Sequence, residues 1–170
     1  SYPGDTQAVN DTLANVTRTV VAPAALPQFV GFTGFTGANL PTAFPGWSEA
    51  QGSSLPTGTI SNWINQANLN SAGNVNARIF LSAVSANDWI VGPKVVATAS
   101  TMISFDAAVS GNVAAPFTNS NMGSDDRVRL MISTDCGASF TPIFTLSATN
   151  SLTTNWTNFN VNLGAYNGQE

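Results

Sequence analysis

Nine acidic residues, five basic ones, a single cysteine and no histidine supply most of the reactive side chains in this 170-residue chain. Without histidine, a Ser-His-Asp triad, a Cys-His pair and an HExxH zinc site are all excluded within it. Cys136 has no imidazole base and sits in the turn sequence Thr134-Asp135-Cys136-Gly137, so it reads as a turn residue rather than a nucleophile. A glycosidase needs two carboxylates facing one another across a cleft. Asp125 and Asp126 are adjacent, and on a strand adjacent side chains point to opposite faces, while Glu49, Asp88 and Asp106 are scattered. The expectation is a non-catalytic chain.

Binding chemistry has more candidates. Asp88 opens the run Asp88-Trp89-Ile90-Val91-Gly92-Pro93, where an acid beside a Trp either caps a turn through nearby backbone N–H groups or ligates a cation; the turn role is the simpler reading. Trp47 and Trp63 are the aromatic candidates for stacking on a ligand. A Trp that follows Pro-Gly, as Trp47 does, is more often part of a core.

The elements that must position these residues read as strands. Ile103, Phe105, Ala107 and Val109 recur at every second residue, the period that places side chains on one sheet face. Val128, Leu130 and Ile132 alternate with Arg127, Arg129 and Met131, as a half-buried antiparallel strand does. Residues 140–146 then return as its hairpin partner, and Phe159-Asn160-Val161-Asn162-Leu163 alternates strictly with Asn outside. A further strand is expected over residues 79–83, and one short strand around Trp63 and Ile64 within a long loop covering 48–77. Nothing in this region has helical periodicity. The expected class is all-β.

Only 8% of the residues are charged, so solubility rests on Ser, Thr and Asn, a composition suited to secreted or surface proteins. A net charge of −4 with five basic residues argues against nucleic acid as a partner, because phosphate binding needs clustered Lys and Arg. The longest apolar run, residues 20–26, is broken by Pro23 and far short of the roughly 20 residues of a membrane helix. A lone cysteine forms no internal disulfide. Residues 1–27 read as an N-terminal arm: Tyr2-Pro3-Gly4-Asp5 is a turn, residues 12–21 are strand-like, and Pro23 and Pro27 stiffen a linker into a main domain over residues 28–170.

Several of these runs resemble one family. Asn87-Asp88-Trp89-Ile90-Val91-Gly92-Pro93 followed by Ile103-Ser104-Phe105, the hairpin Ile132-Ser133-Thr134-Asp135-Cys136-Gly137-Ala138-Ser139-Phe140, and the ending Trp156…Val161-Asn162-Leu163…Tyr166-Asn167-Gly168-Gln169 are similar to the cleaved-adhesin, or choice-of-anchor J, modules of bacterial surface proteins. The Leu40-Pro41…Pro45-Gly46-Trp47 opening is similar too, with Asn162 where the family commonly has Asp. Residues 3–12 resemble the tail of an immunoglobulin-like repeat.

The resemblance implies an antiparallel jelly-roll sandwich over residues 28–170 with one more core strand beyond Glu170. It implies a non-catalytic adhesion module at the bacterial cell surface, whose partner is a surface glycan, a protein ligand or neighbouring domains. Family members often hold structural calcium in their loops, which would place Asp88, Asp125 and Asp126 at a metal site. The acidic cluster expected after the opening Trp is here Ser48-Glu49-Ala50-Gln51, which leaves one acid where several are usual. Two other functions remain open. One is a fibre subunit whose N-terminal arm completes a neighbour's sheet by strand addition; the other is a carbohydrate-binding accessory domain of a secreted enzyme.

Overall fold

The computed structural model describes residues 22–35, 40–67, 69, 75–81, 87–111 and 116–170. The strand expected over residues 12–21 and the immunoglobulin-like turn before it lie outside the described residues.

The fold is all-β and antiparallel. Its strands pair two by two: β1 (Ser48–Gln51) with β4 (Asp88–Val91), β2 (Ile64–Ala67) with β3 (Val75–Arg78), β5 (Met102–Ala107) with β8 (Thr157–Asn162), and β6 (Val128–Ile132) with β7 (Thr141–Leu146). One helical turn, α1 (Leu40–Ala43), precedes β1. Pro41 stands at the start of that turn, where a missing N–H costs nothing, and Phe44 N–H closes it on Leu40 C=O at 3.0 Å.

The period-two runs become strands as expected. In β5 exposed and half-buried residues alternate, so Ile103, Phe105 and Ala107 share the inner face, and Phe105 lies opposite Phe159 of β8. Those two rings stack with centroids 5.6 Å apart, and Phe144 of β7 meets Phe105 at 5.8 Å and Phe159 at 5.4 Å. The aromatic triad joins the β5–β8 pair to the β6–β7 hairpin, and such contacts add about 0.5–1.5 kcal/mol each beyond the area they bury. In β7, Pro142 has no N–H to give the ladder. The register slips beside it, between Leu130 and Met131, as a bulge.

Residues 48–77 depart from the expectation of one strand in a long loop. They contribute β1, β2 and the start of β3, and the strand expected over residues 79–83 lies earlier, at Val75–Arg78, with residues 79–81 outside it. The reason is visible in β1, which buries Glu49 and Ala50 consecutively between exposed neighbours and so carries no alternating signal.

Both ends of the described chain reach one segment, residues 94–97. Ala24 N–H donates to Lys94 C=O at 2.8 Å and bridges Val95 in parallel. From the other side Ala97 and residues 168–169 exchange bonds, Gly168 N–H to Ala97 C=O at 2.8 Å and Ala97 N–H to Gln169 C=O at 3.0 Å. Lys94 and Glu170 form an exposed ion pair at 2.6 Å.

Candidate functional site

The described acids gather polar contacts in several places. The largest is built on the β1–β4 ribbon, whose register sets Gln51 opposite Asp88 and Glu49 opposite Ile90. Glu49 is 2% exposed, and its two carboxylate oxygens accept from Leu40 N–H and from Ser61 Oγ, the latter at 2.8 Å. Ser61 Oγ in turn accepts from Trp63 N–H at 3.1 Å. A buried carboxylate is tolerable when its lone pairs are met by donors, and here they are.

Asp88 grips the same turn from the other edge. Its carboxylate accepts from Asn62 N–H at 2.8 Å, from the Asn62 side-chain amide at 3.2 Å and from the Gln51 amide at 3.1 Å. Trp63 Nε1 points at Asp88 C=O from 3.5 Å, the outer limit of a hydrogen bond. Trp89 donates Nε1–H to Gly52 C=O at 2.7 Å and packs on Phe140 with ring centroids 5.2 Å apart. Residues 61–63 are thereby clamped between two carboxylates that never meet a cation among the described residues.

Trp47 and Trp63 are both half-buried. The Trp47 ring lies over Gly92, where a Cβ would come within 3.6 Å of it, so this indole packs on its own backbone. Neither ring stands out from the surface as a platform.

Asp125 and Asp126 occupy a loop, the turn before β6, so the opposite faces of a strand do not set their directions. Asp126 Oδ2 accepts from Gly123 N–H at 2.7 Å, and a Cβ at Gly123 would meet Asp126 Oδ2 at 3.1 Å and Asp125 Oδ1 at 3.2 Å. Both carboxylates therefore converge over one glycine. Arg127, the adjacent cation, donates to Ser124 C=O at 3.0 Å and Asp126 C=O at 2.6 Å. Among the described residues no three acids or cysteines form a group able to hold a metal ion, so Asp88 does not join the Asp125–Asp126 pair in one centre.

Sequence reasoning missed the cluster around Asp135. In the β6–β7 hairpin Asp135 accepts from Ser139 Oγ at 2.5 Å, Ser139 N–H at 2.9 Å and Ser133 Oγ at 2.8 Å. The Ser139 hydroxyl, then the Ser139 amide and the Ser133 hydroxyl, draw its carboxyl down to about 2 from the usual 3.8. Cys136 beside it is exposed at φ 59°, a left-handed conformation that fits the turn assignment. The signal was available: Ser133, Asp135 and Ser139 flank a tight turn, and Ser and Asp there are the residues whose side chains bond nearby backbone and one another.

No protein family, no curated protein and no solved structure matches this chain. Its function is therefore argued from the residues themselves.

Proposed function

We propose that the chain is a non-catalytic extracellular adhesion or binding module of a large bacterial surface protein, folded as a jelly-roll sandwich. The observation that carries the reading is the use made of the acids. Asp126 and Asp135 accept hydrogen bonds from their own turns, and Glu49 and Asp88 from the distant residues 40 and 61–62, the task of groups that hold a shape rather than move protons. The sparse charge and the abundance of neutral polar side chains suit such a module. The aromatic contact between the β5–β8 pair and the β6–β7 hairpin supports two facing sheets.

The test is a binding screen beside an activity screen. Purified chain displayed on beads should retain a set of glycans or surface proteins while leaving peptide and glycan substrates intact. Turnover that disappears on replacing Glu49 or Asp88 would overturn the reading.

One observation favours assembly as a second reading. Ala24 lies in parallel against Val95, so the root of the N-terminal arm is already seated on a strand-like segment, and an arm carried further could pair with a neighbour. Deleting residues 1–22 and comparing the particle mass decides it: a fibre subunit falls to monomers, whereas an adhesion module keeps its state.

A further inference from the structure

We propose that the β2–β3 ribbon carries a binding site for an acidic sugar of the uronic-acid class, formed by Arg78, Asn76, Gln66 and Phe80. The proposal deepens the binding-module reading and rests on it.

In the β2–β3 register Ile64 lies opposite Arg78 and Gln66 opposite Asn76, so these four side chains share one face of the ribbon. Arg78 Nη1 donates to Gln66 Oε1 at 2.5 Å, and the Gln66 amide is fixed in turn by donating Nε2–H to Ala67 C=O at 2.7 Å. The guanidinium carbon sits 4.2 Å from the centroid of the Phe80 ring. The Arg78 side chain is thus oriented by an amide and an aromatic ring, and it has no carboxylate partner among the described residues.

Among the described residues, two buried side-chain atoms on this face have no hydrogen-bond partner: the donor Arg78 Nε and the acceptor Asn76 Oδ1. Leaving such an atom unpaired costs about 1–3 kcal/mol, more when the group is charged. One unpaired donor and one unpaired acceptor, two residues apart on the same face of one strand, are the complement of a ligand that brings an acceptor and a donor together.

The geometry selects the ligand. With Nη1 committed to Gln66, the free edge of the guanidinium is Nε and Nη2, whose parallel N–H groups match the two oxygens of a carboxylate. Asn76 Oδ1 then accepts from a hydroxyl close to that carboxylate. Phe80 lies outside the strand, is 41% exposed and has its ring over the guanidinium, and turned from it onto the apolar face of a pyranose the ring would admit the ligand to that edge. A uronic acid offers all three features at once. A neutral hexose lacks the carboxylate, and a simple carboxylate lacks the hydroxyl and the ring face.

The full chain is titrated with a tetramer of galacturonic acid, with a neutral galactose tetramer and with acetate, followed by calorimetry and by the NMR resonance of the Arg78 Nε–H. The acidic tetramer should bind about tenfold or more tightly than the neutral one, a difference of about 1.4 kcal/mol or more. Arg78→Lys, which keeps the charge and removes the fork, should lose about tenfold, and Asn76→Ala should weaken binding by a smaller factor with the fold intact. Equal shifts with acetate and the acidic tetramer would overturn the sugar site, since any carboxylate would then suffice. Undiminished binding of the acidic tetramer by both variants would overturn it as well. If other glycans or surface proteins bind while the acidic tetramer does not, the site fails and the module stands; if nothing binds, both readings fall.

Discussion

Asp88 holds Asn62 twice, at the backbone N–H from 2.8 Å and at the side-chain amide from 3.2 Å, so one carboxylate on β4 fixes a turn 26 residues earlier. Asp88→Ala removes both bonds and the one from Gln51. Because the site is partly open to water, the expected loss is about 1–2 kcal/mol, within the range for bonds to a charged group. Hydrogen exchange at the Asn62 amide should rise first. Unchanged protection there, with unchanged denaturant midpoint, would show that the grip is incidental.

Glu49 should matter more, because it is buried and serves two donors. Glu49→Ala leaves Leu40 N–H and Ser61 Oγ–H without acceptors, at about 1–3 kcal/mol each. Glu49→Gln should recover most of this, since its Oε1 can accept from Leu40 N–H while its Nε2–H donates to Ser61 Oγ, a hydroxyl that turns to accept. A Gln variant as unstable as the Ala variant in urea would show that the charge, not the pattern of bonds, holds residues 40 and 61.

Gly52 sits at φ 138°, and a Cβ there would lie 2.1 Å from Leu55 C=O, closer than any real contact. Gly52→Ala must therefore displace the 52–57 loop and with it the acceptor of Trp89 Nε1. Gly58 at φ 77° has no atom within 4 Å of such a Cβ, so Gly58→Ala should cost only the roughly 1–2 kcal/mol of a left-handed L-residue. The comparison checks the cause. Equal melting temperatures for the two variants would argue against the clash.

Trp89→Ala empties a half-buried aromatic site and should cost somewhat less than the about 3–5 kcal/mol seen at fully buried ones. Trp89→Phe keeps the ring against Phe140 and loses only the bond to Gly52 C=O, about 1 kcal/mol. A Phe variant as damaged as the Ala variant would place the weight on the hydrogen bond instead.

Acid should loosen the β6–β7 hairpin late. The Asp135 carboxyl is lowered to about 2 in the folded chain against 3.8 unfolded. A depressed folded value means that its stabilisation is complete above pH 3.8 and fades as pH falls through 2. Asp135→Asn should remove that part of the acid sensitivity, and a direct NMR titration of Asp135 with a midpoint near 4 would contradict the account.

The chain's written signals and its structure agree where one face of a strand is buried. Phe105, Phe159, Val128 and Leu130 announce their strands by alternation, and Pro142 even marks where the β6–β7 register slips. The β1–β4 site was legible only in part. Asp88 stands out beside its Trp, but Glu49 in Ser48-Glu49-Ala50-Gln51 looks like a surface acid, and its donors lie 9 residues before it and 12 after it. Such pairings are set by how loops close over a ribbon, which local pattern does not encode. Arg78 was hidden for the same reason, since its orientation depends on Gln66, twelve residues before it.

The meeting of Ala24 and Gln169 on residues 94–97 also decides how the molecule would bear a mechanical load. In the proposed surface module, a pull on residue 24 and a pull on residue 169 would both arrive at this one short segment. The load would fall first on the few backbone bonds at Lys94 and Ala97, ahead of the aromatic triad of Phe105, Phe144 and Phe159.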